Sequence, residues 1–105
     1  MQQRRGQLEA LLEQLAGLLG SAGETHWLPW AERGLGQLRD RDWSGVDTVL
    51  AGFGGMGSLN DLVLHPANGH AVAEEDVAAV NSRLQDLRTA IWREAVCLRH
   101  LLRAG

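Results

Sequence analysis

The stretch from Val77 to Leu101 constrains the fold more than any other part of the chain. Its apolar residues Val77, Val80, Leu84, Leu87, Ile91, Leu98 and Leu101 recur at steps of three and four, and Ala95 fills the gap in the series. That spacing gathers them on one side of an α-helix, whereas a strand would scatter them over both faces. Glu74, Glu75 and Asp76 sit where negative charge favours a helix N-terminus, and Arg99, His100 and Arg103 favour its C-terminal end. The spacing predicts one helix over about 73 to 103, roughly 45 Å long at the α-helical rise. A domain of 105 residues does not need so long a rod. Part of it is expected to project or to pair with another chain. Trp92 and Val96 lie off the main stripe and form a second apolar edge, to be covered by the N-terminal helix or by a partner.

The rest of the chain supplies shorter helices. Leu8, Leu11, Leu12, Leu15, Leu18 and Leu19 form an amphipathic stripe, stopped by Gly20 and Gly23, which predicts a helix over about 3 to 20. Pro29 suits a first helical turn, and Trp30, Leu35 and Leu38 share a side of a helix ending near Asp40. Gly34 and Gly36 weaken that helix or let another approach closely. Ser44-Gly45-Val46-Asp47 resembles a capping box ahead of Val46, Val49, Leu50 and Phe53, which predicts a short helix over about 45 to 53. Ser58-Leu59-Asn60-Asp61 repeats the cap signal, and the turn or short helix it starts must stop before Pro66. Ala67-Asn68-Gly69-His70 reads as a turn. No segment alternates apolar and polar residues over a strand length, and no internal repeat is present. The expected fold is all-α: a single domain over 1–105, a small bundle of four to five helices with a long C-terminal helix and a glycine-rich central corner.

Composition excludes several function classes. No apolar run approaches the roughly 20 residues that span a bilayer, and Glu9 and Glu13 interrupt the first leucine-rich stretch, so it does not read as a signal peptide. The expectation is a cytoplasmic protein without membrane association. One cysteine, Cys97, allows no internal disulfide and reads as a packed thiol. No basic residue lies between Arg41 and Arg83, a stretch that holds Asp42, Asp47, Asp61, Glu74, Glu75 and Asp76. Nucleic acid, which calls for clustered basic side chains, is therefore not the expected ligand. An acidic middle suits a basic protein partner or is simply a solvated face.

The glycine-rich centre invites a false reading. Gly52-Phe53-Gly54-Gly55-Met56-Gly57 matches the G-x-G-x-x-G of dinucleotide-binding loops, with Val46 to Leu50 readable as the strand before it. That fingerprint needs further parallel strands, and after residue 65 the chain offers a turn and a long helix. A phosphate-binding P-loop is excluded because the chain has no Lys. The glycines fit either a tight corner with Met56 plugged into the core, or exposed amides leading into a capped helix start that binds an anion. Asp61, His65 and His70 form the one cluster capable of metal binding or acid–base chemistry, at a spacing that matches no recognised ligand pattern. No cofactor is expected, and the chain does not read as an enzyme. His26 and His100 read as surface residues. The tryptophans Trp27, Trp30, Trp43 and Trp92 read mainly as core, with room for one at an interface.

The run Phe53-Gly54-Gly55-Met56-Gly57-Ser58-Leu59-Asn60-Asp61-Leu62-Val63-Leu64, followed by Asn68-Gly69-His70, resembles the signature of a family of small bacterial proteins defined as a domain of unknown function. The resemblance runs over about residues 27 to 100. Small helical members of this kind are similar to the immunity and accessory proteins encoded beside secreted bacterial toxins. The resemblance implies a recognition role for Ser58, Asn60, Asp61, Asn68 and His70, and the expected partner-binding surface also takes in Gly55, Met56, Gly57 and His65. A hydrogen-bond network holding the loop explains the same polar residues. Three functions follow as expectations: an immunity-type protein that binds a toxin directly, a regulatory module that forms a homodimer through its long C-terminal helix, or a small metal-binding or hydrolytic protein using Asp61, His65 and His70.

Overall fold

The computed structural model describes residues 1–54 and 57–104. Four α-helices occur among them: α1 (Gln2–Ser21), α2 (Leu28–Arg39), α3 (Ser44–Leu50) and α4 (Val77–Ala104). Between α3 and α4 lie three single turns of 3-10 helix, Leu59–Asp61, Pro66–Asn68 and Glu74–Asp76, and no strand appears among the described residues. The all-α bundle with a long C-terminal helix is the fold the periodicity predicts.

α1 and α4 run antiparallel: Arg4 near the start of α1 reaches Glu94, and Gln14 further along α1 bonds Arg83. α2 packs on α1 and α3, and α3 returns to α4. The core is one cluster, built on Leu8, Leu12, Leu15 and Leu19 of α1, Ala31, Leu35 and Leu38 of α2, Val46 and Val49 of α3, and Leu84, Ile91, Ala95 and Leu98 of α4. The molecule measures 47 × 25 × 20 Å, and α4 sets the long axis. Its radius of gyration of 13.9 Å exceeds the roughly 13 Å of a spherical chain of this length.

The helix ends follow from local chemistry. α1 closes in a Schellman motif: Glu24 N–H bonds Leu19 C=O, Gly23 N–H bonds Gly20 C=O, and Gly23 takes the left-handed conformation at φ 69°. α2 closes the same way, with Asp42 N–H on Gln37 C=O and Arg41 N–H on Leu38 C=O. Here the left-handed position is held by Arg41, at φ 61°. The capping box expected at Ser44 and Asp47 does not form, because Ser44 already lies inside α3 and Trp43 is the cap position. Asp42 does the capping instead, its Oδ1 accepting from Ser44 N–H at 3.0 Å and from Ser44 Oγ at 2.6 Å. α2 and α3 approach so closely that a Cβ on Gly34 would stand 2.9 Å from Val49 Cγ2. Within α4, Leu101 is exposed and Leu102 takes its place against the core. A continuous stripe through Ile91, Ala95 and Leu98 meets position 102, four residues on, sooner than 101.

Candidate functional site

Chain between α3 and α4 has no regular ladder to satisfy its backbone, so its polar groups need partners from elsewhere. The corner begins where Gly52 C=O accepts from Leu59 N–H at 2.9 Å. Gly52 itself lies against the Trp30 indole, and a Cβ there would be 2.6 Å from Trp30 Cε2. The first glycine of the apparent dinucleotide fingerprint is therefore required by aromatic packing. The presumed strand of that fingerprint is α3, which removes the nucleotide reading. Trp30 is anchored in turn by its Nε1–H on Thr48 C=O at 2.9 Å and by edge contacts to Trp27 and Phe53.

Ser58 and Asp61 hold the next turn. Ser58 Oγ accepts from Asn60 N–H at 3.3 Å, and Asp61 Oδ2 accepts from Gly57 N–H at 2.6 Å. These two bonds pin a turn that starts from the left-handed Gly57, at φ 79°. Gly55 and Met56, expected in the partner-binding surface, lie outside the described residues, as does the placement of Met56 in the core.

Two α4 side chains take hold of this segment. Arg88 is buried, and its Nη1 donates to the carbonyls of Leu59 at 2.9 Å, Asn60 at 3.3 Å and Leu62 at 3.0 Å. Its Nη2 donates to Gln85 Oε1 at 2.6 Å, while Nε finds no partner. Burial lowers the Arg88 pKa, and the nearby Asp61 charge opposes that shift. Two helical turns earlier, Asn81 treats Leu64 as a strand neighbour would. Its Oδ1 accepts from Leu64 N–H at 2.9 Å, and its Nδ2 donates to Leu64 C=O at 2.8 Å and to Val77 C=O at 2.8 Å. Neither Arg88 nor Asn81 was a candidate from the sequence. The available signal was that Arg88 stands on the apolar stripe, four residues after Leu84 and three before Ile91.

The histidines complete the frame. His65 Nδ1 accepts from Ala67 N–H at 2.9 Å, and His70 Nδ1 accepts from His65 N–H at 3.1 Å. His70 Nε2 lies 3.5 Å from Glu24 Oε1, both side chains being largely buried. Glu24 Oε2 meanwhile accepts from Trp27 N–H at 2.6 Å, at the start of α2. Accepting at Nδ1 leaves the proton of a neutral His70 on Nε2, facing the carboxylate. Ala71 N–H on Ala22 C=O at 2.8 Å fastens the same stretch to the end of α1. This arrangement does not gather Asp61, His65 and His70 into one metal-binding cluster. Each is committed to a separate backbone amide, and no group of three His, Cys, Asp or Glu residues could hold a metal among the described residues.

What the segment leaves outward is a short polar surface. Gly57, Asn60, Asp61, Ala67 and Asn68 are exposed, and Val63 among them is 51% exposed. Asn68 Nδ2 donates to Val63 C=O at 3.2 Å, which fixes the two relative to each other. Ser58 is buried, and His65 and His70 are half-buried. Of the expected surface residues, then, Gly57, Asn60, Asp61 and Asn68 face solvent, while Ser58, His65 and His70 act mainly as internal supports.

The family model described as Domain of unknown function (DUF6966) matches residues 20–73. The chain belongs to this family. Neither a curated protein nor a solved structure matches it. The DUF6966 stretch begins at the closing turn of α1 and stops before α4, so it is shorter at its C-terminal end than the resemblance read over 27 to 100. It contains the whole corner and the histidine frame. Arg88 and Asn81, which clamp that corner, lie beyond it.

Further exposed features lie on α4. Trp92 is 48% exposed and not covered by α1, and Cys97 is a half-buried free thiol. An open groove of ≈ 500 Å³ runs between α1 and α4, past Leu11, Gln14, Arg83 and Leu87. No helix of the described residues is long and apolar enough to cross a membrane.

Proposed function

We propose that this DUF6966 protein is a protein-binding module of the immunity type, neutralising a bacterial toxin by direct contact rather than by catalysis. The observation that carries the reading is the way α4 holds the irregular segment. Arg88 and Asn81 bind its backbone, so Asn60, Asp61, Val63 and Asn68 are presented outward from a fixed frame. A surface already ordered before contact loses less conformational freedom on binding. Val63 supplies an apolar anchor within a polar rim, the usual anatomy of an interface centre. Asp61, two residues before Val63, and the absence of any Lys or Arg between Arg41 and Arg83 favour a basic partner surface.

Co-expression with each toxin encoded beside this chain's gene tests the proposal. The wild-type chain is expected to restore growth against one of them. Val63→Glu and Asp61→Asn are expected to weaken binding at least ~10-fold with unchanged helicity, since an interface anchor is worth about 1–2 kcal/mol or more. Asp61→Asn keeps an acceptor for Gly57 N–H, so it removes charge without opening the turn. Failure to rescue cells from every such toxin removes the proposal.

A further inference from the structure

We infer that the exposed edge of α4 pairs with the same edge of a second copy, the two helices running antiparallel. Ala78, Ser82, Gln85, Thr89, Trp92, Val96, Arg99 and Arg103 recur at strict steps of four and three along α4. They line one seam on the side of α4 away from its core stripe, with Ala78, Trp92 and Val96 as its apolar members. Trp92, the largest side chain on it, is 48% exposed, and Ser82, Gln85 and Arg103 are exposed as well.

The orientation follows from size and charge. The N-terminal half of the seam carries no charge, and the C-terminal half carries Trp92 and two arginines, Arg99 and Arg103. In an antiparallel pair the seam maps onto itself, with Thr89 opposite Trp92, Gln85 opposite Val96 and Ser82 opposite Arg99. Each large side chain then meets a smaller one, as interlocking helices require. Arg103 falls opposite Ala78, within about one helical turn of the partner's acidic 3-10 turn Glu74–Asp76. The two-fold axis makes that charge match twice. A parallel pair would instead set Trp92 on Trp92, Arg99 on Arg99 and the acidic turns side by side, which like-charge repulsion disfavours.

Sedimentation equilibrium of the full chain tests the pairing, and cysteine cross-linking tests its direction. The expected mass at high protein concentration is twice the 11.4 kDa of the chain. Trp92→Glu is expected to halve it. Arg103→Glu is expected to shift it toward the monomer, and adding Glu75→Arg and Asp76→Arg to restore it. In a Cys97→Ser background, Ser82→Cys mixed with Arg99→Cys is expected to cross-link, while Ser82→Cys alone stays unlinked. A monomer at every concentration, an unchanged mass in folded Trp92→Glu, no link in the mixture, or self-linking of Ser82→Cys would each overturn the inference.

Discussion

Removing the Arg88 guanidinium would leave the carbonyls of Leu59, Asn60 and Leu62 without their common donor. Hydrogen bonds from a charged donor are worth ~1.5–3 kcal/mol each, and some loss is recovered by water, so Arg88→Ala is expected to lower the unfolding free energy by about 2–4 kcal/mol in urea titrations. Arg88→Lys should recover part of this, because an ammonium lacks the planar fork that serves both the carbonyls and Gln85. This residue was legible only as a charge on an apolar stripe, and a long basic side chain there ordinarily bends its head out to water. Its burial depends on carbonyls brought in from across the fold, which no spacing reveals. Arg41 makes a simpler case. It holds a left-handed backbone position that favours glycine, and Arg41→Gly is expected to raise stability by about 0.5–1 kcal/mol. Its neighbour Asp42 is fully exposed, and its carboxyl is held below its ordinary value of 3.8 by the Ser44 hydroxyl and then the Ser44 N–H. A carboxyl more acidic in the folded state stabilises fully above its unfolded pKa and loses that contribution as pH falls through the folded one. The stability gap between wild type and Asp42→Ala is therefore expected to close below about pH 4.

At the scale of elements, the helices were the legible part. Their apolar spacing placed all four, with ends within a few residues of those observed. The caps were read less well. Ser44 looked like a cap because Asp47 follows three residues later, but the Schellman closure of α2 delivers Asp42 to that role first. Ser58 and Asp61, by contrast, hold their turn as the sequence suggests, since both partners lie within it. Glycines divide in the same way between local and distant causes. Gly52→Ala would drive a Cβ into the Trp30 ring, and such overpacking is expected to cost ~1–3 kcal/mol in thermal melts. Gly36, in the same α2 as Gly34, has nothing within 4 Å of the added Cβ, and Gly36→Ala is expected to stabilise by up to about 1 kcal/mol. The sequence treats these glycines alike. The packing of α2 against α3 and the corner separates them.

At the scale of the molecule, α4 does two things. Its inner stripe closes the core, and its Asn81 and Arg88 organise the corner outside the reach of the family match at residues 20–73. The glycine-rich centre was singled out from sequence for its composition, and its outward residues Asn60, Asp61 and Asn68 were named there. The clamps Asn81 and Arg88 were not, because they act through tertiary contacts spanning 17 to 29 residues. Asn81→Asp offers a sharp check on this division. It keeps the acceptor for Leu64 N–H but sets a carboxylate against the Leu64 and Val77 carbonyls, and is expected to destabilise more than Asn81→Ala. The most direct test of the prebuilt surface is native-state hydrogen exchange at Leu64 and His65. Their amides belong to no helix or strand, yet both donate to side chains, Asn81 Oδ1 and His70 Nδ1. The account predicts slow exchange at both, with protection lost at Leu64 in Asn81→Ala and at His65 in His70→Ala. Exchange at unprotected rates in the wild-type chain would contradict it.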